Sequence, residues 1–208
     1  MEVWHQVLQQ LINGISLGSI YALIALGYTM IYGIINLINF AHGDIYMVGA
    51  YIGFFAITQA HLSVVPALLI SLVVTGFLGM LVERLAYKPL RHAPRISVLI
   101  TAIGVSFFLE YTTMYFVSPT PRTFPAMFGD VAVTVGGIVI NGQQMLILGI
   151  TAVLMVILTY IVQKTKTGKA MRAASFDTET AELMGINSDR IISITFGIGS
   201  ALAAVAGV

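Results

Sequence analysis

The sequence predicts an all-α protein, a polytopic helical membrane protein with about six transmembrane helices. Three observations carry that expectation. Hydrophobic residues make up 58% of the 208 and charged residues only 9%, where a soluble domain carries about a quarter charged. Several apolar runs approach or exceed the roughly 20 residues that a helix needs to cross a hydrocarbon core of about 30 Å. Nine of the ten basic residues fall in two short segments: Arg84, Lys88, Arg91 and Arg95 in one, Lys164, Lys166, Lys169, Arg172 and Arg190 in the other. Such clustering is the positive-inside signature, and it puts both segments in the cytoplasm.

The spans follow in order from those fixed points. Leu11–Ile35 is uncharged and long enough to cross. Ile45–His61 follows as a shorter apolar run, and Pro66–Val82 ends at the first basic segment, residues 84–95. Ser97–Val117 runs outward. Residues 118–144 form an extracytoplasmic loop with three prolines, two adjacent glycines and Val-Ala-Val-Thr-Val as a short strand. Leu146–Val162 returns, and Ile191–Val208 is the sixth span. Counting back from the basic segments leaves the amino terminus outside, in keeping with its lack of Lys and Arg. The whole of 1–208 reads as one membrane domain. Its last span runs flush to the chain end with no polar exit, which is expected of a fragment. The opening Met-Glu-Val-Trp-His-Gln lacks the positive region of a cleaved signal. There is no cysteine, hence neither disulfide nor thiolate metal site. The basic residues form no stripe for a phosphate backbone, so no nucleic-acid partner is expected.

Residues 163–190 are the longest strongly polar stretch, and their order implies a fold. Asp177 is placed to accept from the free amides of a following turn, and Glu179 suits the positive end of a helix. Thr178–Met184 is then a two-turn helix. Gly185 supplies the left-handed stop that a Cβ disfavours, and Ile186 closes it. Asn187 or Ser188 caps the next helix. A short capped helix between two spans is a rigid knob suited to pressing on a partner. Its bland alternative is a solvated connector.

Small residues recur every four positions at Gly14, Gly18 and Ala22, at Gly49 and Gly53, and at Gly199, Ala203 and Gly207, a spacing that lets helices approach closely. Asn36, Asn39, His42 and Asp44 concentrate polar groups next to a helix-breaking Gly43. They are either a capped loop at the membrane surface or a break between half-helices lining a path for a polar solute. Non-helical backbone at that depth exists only where protein or water satisfies it. Glu110 is the one formal charge inside the fourth span, a candidate for the same path. No metal-binding pair and no nucleophile elbow occur. Gly168-Lys169 lacks the upstream glycine and the following hydroxyl of a phosphate-binding loop. Neither enzyme nor cofactor site is expected. ATP, if used, must be bound by another subunit.

With these segments in place, the chain resembles the permease subunits of branched-chain amino acid ABC importers of the LivH type. The matching stretches are Asn13-Gly14-Ile-Ser-Leu-Gly18-Ser-Ile-Tyr21-Ala22-Leu23, Asn39-Phe40-Ala41-His42-Gly43, Glu83-Arg84-Leu-Ala-Tyr87-Lys88-Pro89, Gly185-Ile186-Asn187-Ser-Asp189-Arg190 and Ala203-Ala204-Val-Ala206-Gly207. The resemblance implies further spans beyond Val208. It also implies a second related permease subunit, two cytoplasmic ATP-binding subunits and an extracytoplasmic solute-binding protein as partners. Arg172, Asp177, Glu179, Glu182, Leu183, Met184 and Gly185 would then dock on an ATPase. A urea or short-amide importer subunit would look much the same, and a self-contained channel is the alternative from another class.

Overall fold

The computed structural model describes residues 2–36, 38–91, 93–120, 122–125, 132–135 and 138–208. The helices are α1 (Glu2–Ile35), α2 (His42–Thr58), α3 (Val64–Val82), α4 (Arg95–Val117), α5 (Gly142–Lys164), α6 (Lys166–Phe176), α7 (Thr178–Leu183) and α8 (Ser188–Gly207). Among the described residues, five helical stretches are long and apolar enough to cross a membrane: Val3–Ile35, Val64–Leu90, Arg95–Val117, Gly142–Lys164 and Ser188–Gly207. The fold class stands, with five clear spans beside the expected six. α2, at 17 residues, is short because it starts late.

Among the described residues the long helices are α1 to α5 and α8. One end of the bundle gathers the end of α1, residues 83–91 and residues 165–187, whose apolar side chains share one cluster, and with them the basic segments. The other end gathers the start of α1 and the turns after α2 and α4. There the expected strand exists as β1 (Ala132–Val135), paired antiparallel with β2 (Ile138–Asn141). Gln9 clamps the hairpin to α1. Its Nε2 donates to the Val139 carbonyl at 2.8 Å, and its Oε1 accepts from the Val139 amide at 2.9 Å. Gln144 donates to Asn13 at 2.8 Å and ties α5 to α1. The Arg122 guanidinium sits 5.8 Å from the rings of both Phe54 and Phe55, where cation–π attraction anchors this end to α2.

α8 is the core helix, packed on α1, α2 and α3. It can be central because its buried face is small. Ser200, Ala203 and Ala204 are fully buried, and three helices close on it at backbone distance. A Cβ on Gly27 would meet the Gly199 carbonyl oxygen at 2.5 Å, and one on Gly49 would meet Ala204 Cα at 2.7 Å. Gly53 lies against Val208, Gly207 against Ala50, and Gly79 against Ser200. In lipid, where apolar side chains gain little by leaving their surroundings, such contact is what holds helices together. Ser71 adds a hydrogen bond of 2.6 Å to the Gly49 carbonyl.

The expected packing face Gly14–Gly18–Ala22 is corrected. Among the described residues a Cβ on Gly14 or Gly18 would have no neighbour within 4 Å, and Ala22 is half-buried. The buried stripe of α1 runs instead through Ser16, Leu23, Gly27, Ile31 and Ile34. Gly14 and Gly18 each lie two residues from Ser16, about 200° around the helix, on the opposite side. Gly27 carries the close approach that these two glycines were expected to make.

Candidate functional site

At the basic end, α6 and α7 form an elbow between α5 and α8. Thr165 caps α6 by accepting from the Gly168 amide at 3.0 Å, and Gly168 is held where a Cβ would strike the carbonyls of Ile161 and Val162. Arg172 donates to the Val162 carbonyl, so it braces the elbow internally. Asp177 caps α7 through the Thr180 amide at 3.1 Å and the Thr180 hydroxyl. These hydrogen bonds, that of the side-chain hydroxyl first, hold the Asp177 carboxyl below its ordinary range. Its folded value is depressed, so the cap is at full strength above the usual carboxylate range and fails as pH falls below it.

α7 ends at Leu183, one residue earlier than expected. Gly185 has φ +85°, its amide bonds the Glu182 carbonyl at 2.9 Å, and the Ile186 amide bonds the Ala181 carbonyl at 3.0 Å. That is the two-bond left-handed stop of a helix C-terminus. Asn187 then caps α8 by accepting from the Arg190 amide at 2.9 Å. Inward, Met171, Ala174 and Ala181 are buried in one apolar cluster with Ile34, Val82, Ile191 and Phe196. Outward, Phe176, Leu183 and Met184 are 95%, 87% and 81% exposed, and Glu179 and Glu182 are exposed beside them. The elbow is a seated, capped body with an uncovered apolar tip. Gly185→Ala is expected to destabilise α7 by about 1 kcal/mol through the left-handed backbone alone, since its Cβ would meet nothing within 4 Å. Faster amide exchange confined to 178–186 is the readout.

Beside the elbow sits an ion cluster. The residues after α3 continue as a π-helical turn, Glu83–Tyr87, of the kind often found at functional positions. That turn buries both its first and its last side chain. Glu83 is fully buried, accepts from Ser193 on α8 and pairs with Arg91. Arg91 bridges on to Asp189 in the first turn of α8, and Lys88 reaches the same carboxylate at 2.7 Å. Tyr87 donates at 2.7 Å to Asn39 Oδ1 and packs on Phe196. Asp189 follows α7 by only a few residues, so the cluster adjoins the elbow along the chain. Asp189 stands about a hundred positions from Lys88 and Arg91, a separation that leaves no local pattern in the sequence.

The polar group 36–44 is divided. Asn36, at φ 55°, is exposed at the end of α1. Asn39 and His42 are 3% and 2% exposed. His42 Nε2 lies 3.2 Å from the Ile24 carbonyl, and Asp44 accepts from Ser106 on α4. Ile24 is eleven residues before the end of α1, and Ser106 is eleven residues after the start of α4, about 16 Å along each helix. Two helices thus give the same depth: the chain turns back into the bundle after Asn36, and α2 begins halfway across. Of the two layouts open from the sequence, a break between half-helices inside the bundle fits this geometry. Glu110, one turn beyond Ser106, is exposed and has no hydrogen bond or ion pair among the described residues, so the structure does not bring it into this group.

Comparison with known proteins agrees with this architecture. The family model described as the branched-chain amino acid transport system / permease component matches residues 10–208. The chain is 44% identical to the high-affinity branched-chain amino acid transport system permease protein BraD of Pseudomonas aeruginosa, covering all of this chain and 71% of that protein. It is 41% identical to LivH of Escherichia coli, over 97% of this chain and 69% of that one. The probable LivH of Methanocaldococcus jannaschii is 27% identical, over 91% and 61%. No solved structure matches the chain. A family model spanning all but the first nine residues, with relatives above 40% identity, shows that the chain belongs to the permease components of branched-chain amino acid transport systems.

Proposed function

We propose that this chain is a membrane-spanning permease subunit of an ATP-driven importer for leucine, isoleucine and valine, and that the α6–α7 elbow is where an ATP-binding subunit docks. The substrate class follows that of the branched-chain amino acid permeases it resembles. The carrying observation is the elbow itself, in which Phe176, Leu183 and Met184 stand in the open on a body capped at both ends. Three large apolar side chains on a polar segment outside the spans mark an interaction surface. The basic segments put that end in the cytoplasm and the amino terminus outside. A second, related permease completes the membrane unit, and a soluble binding protein delivers solute to the hairpin end.

ATP hydrolysis belongs to the docked partners. Closure of two ATPases moves the elbow. Because Asp189 joins α8 to Arg91 and Lys88, α8 and the α3–α4 link move together, and the two arrangements need differ by only a few kcal/mol. Met184→Asp combined with Glu182→Lys tests this. Both residues are exposed, so the fold should survive, and ATPase co-purification with ATP-coupled leucine uptake should fall at least about tenfold if the tip contributes 1.4 kcal/mol or more to docking. Unchanged co-purification and uptake would refute the docking surface. Recovery of a homo-oligomer without ATPases would point to a channel.

A further inference from the structure

We infer that the uncapped first turn of α2 and the cleft before it form a subsite for a zwitterionic amino acid, its carboxylate held by the α2 amides and Asn39, its ammonium by His42. This rests on the reading that the chain passes amino acids. α2 begins about half-way through the bundle, as shown above. No side chain caps it, and the Gly43 and Asp44 amides have no partner among the described residues. First-turn amides at the positive end of a helix dipole favour an anionic group.

Two buried side chains supply the independent observation. Asn39 uses Oδ1 to accept from Tyr87, and its Nδ2 is buried with no partner among the described residues. His42 Nε2 faces the Ile24 carbonyl. A carbonyl only accepts, so Nε2 carries the hydrogen, and in the neutral ring Nδ1 is a lone-pair acceptor. That Nδ1 is also buried and has no partner among the described residues. Buried polar atoms are normally satisfied, and leaving them unmade is costly.

Asn39, His42 and Gly43 line one cleft of about 470 Å³, whose remaining wall includes Ile24, Ala25 and Tyr28. That volume is within the range of roughly 300–1,000 Å³ usual for small-molecule pockets. Donors from Asn39 and α2 suit a carboxylate, the His42 acceptor suits an ammonium, and the hydrocarbon wall suits a branched alkyl chain. Asp44 is bound by Ser106 and lies outside the lining. Its nearby charge opposes a bare anion and favours a ligand that also carries a cation.

The test uses the complete importer in nanodiscs, without the soluble binding protein, and reads leucine binding by saturation-transfer NMR. Competitors are leucinamide, which lacks the carboxylate, and 4-methyl-2-oxopentanoate, which lacks the ammonium. Both should compete about tenfold or more worse than leucine, the worth of one charge-assisted hydrogen bond. Gly43→Pro deletes one amide in the first turn, where proline is tolerated, and should erase most of the preference for leucine over leucinamide. Equal competition by leucinamide, an unchanged preference in Gly43→Pro, or no leucine binding by an intact ATPase-bearing complex would overturn the subsite. If Gly43→Pro does not assemble, competition on the wild type decides. A complex that never contains ATPases would instead refute the importer reading.

Discussion

Replacing Arg91 with Ala is expected to cost the assembled protein about 3 kcal/mol or more. The side chain is 16% exposed and stands between a fully buried carboxylate, Glu83, and the half-exposed Asp189. Removing it leaves Glu83, among the described residues, with only the Ser193 hydroxyl, and a buried charge without its partner is far more costly than the pair was worth. Asp189, by contrast, keeps Lys88 and water. Most of the loss is thus the stranded Glu83, and Glu83→Gln in the Arg91→Ala background should restore a large part of the stability. The measurement is a double-mutant cycle on the detergent-solubilised complex, followed by thermal unfolding. Strict additivity of the two substitutions would show that Glu83 and Arg91 do not act as a pair.

Gly27→Ala is the second large effect. Its Cβ would stand 2.5 Å from the Gly199 carbonyl oxygen and 3.2 Å from the Gly199 carbonyl carbon. Both are backbone atoms with no rotamer to turn away, so α1 and α8 must separate. Overpacking of this kind costs about 1–3 kcal/mol, and here it also loosens the contact that stands in for hydrophobic collapse within lipid. Gly18→Ala, on the same helix, meets nothing within 4 Å and should be neutral or stabilising by up to about 1 kcal/mol through helix propensity. Unfolding midpoints of the two variants in the full-length complex make the comparison. Similar midpoints would mean that α1 does not pack on α8 at Gly27.

Those two experiments mark where sequence reading stopped. Gly14 and Gly18 carry the small-residue spacing as clearly as Gly199 and Gly207 do. Spacing shows that a face is flat, not that a neighbour covers it. In a soluble helix the apolar stripe would point to the buried side. Here both sides are apolar, because lipid and core make similar demands. The same loss of contrast hid the depth of Asn39 and His42. Their composition fits a surface turn, and only the reach of His42 to Ile24 and of Asp44 to Ser106 shows that the chain folds back inward.

The sequence by itself determined what depends on neighbours along the chain. Apolar runs set the spans, basic clusters mark one end, and Asp177, Gly185 and Asn187 cap the elbow, because hydropathy, charge and capping act within a few residues. The tertiary structure alone decided which face of α1 meets α8, that α2 starts inside the bundle, and that Glu83, Arg91 and Asp189 share one cluster. These depend on how helices from distant parts of the chain come together, and a local pattern in a uniformly apolar sequence does not record that.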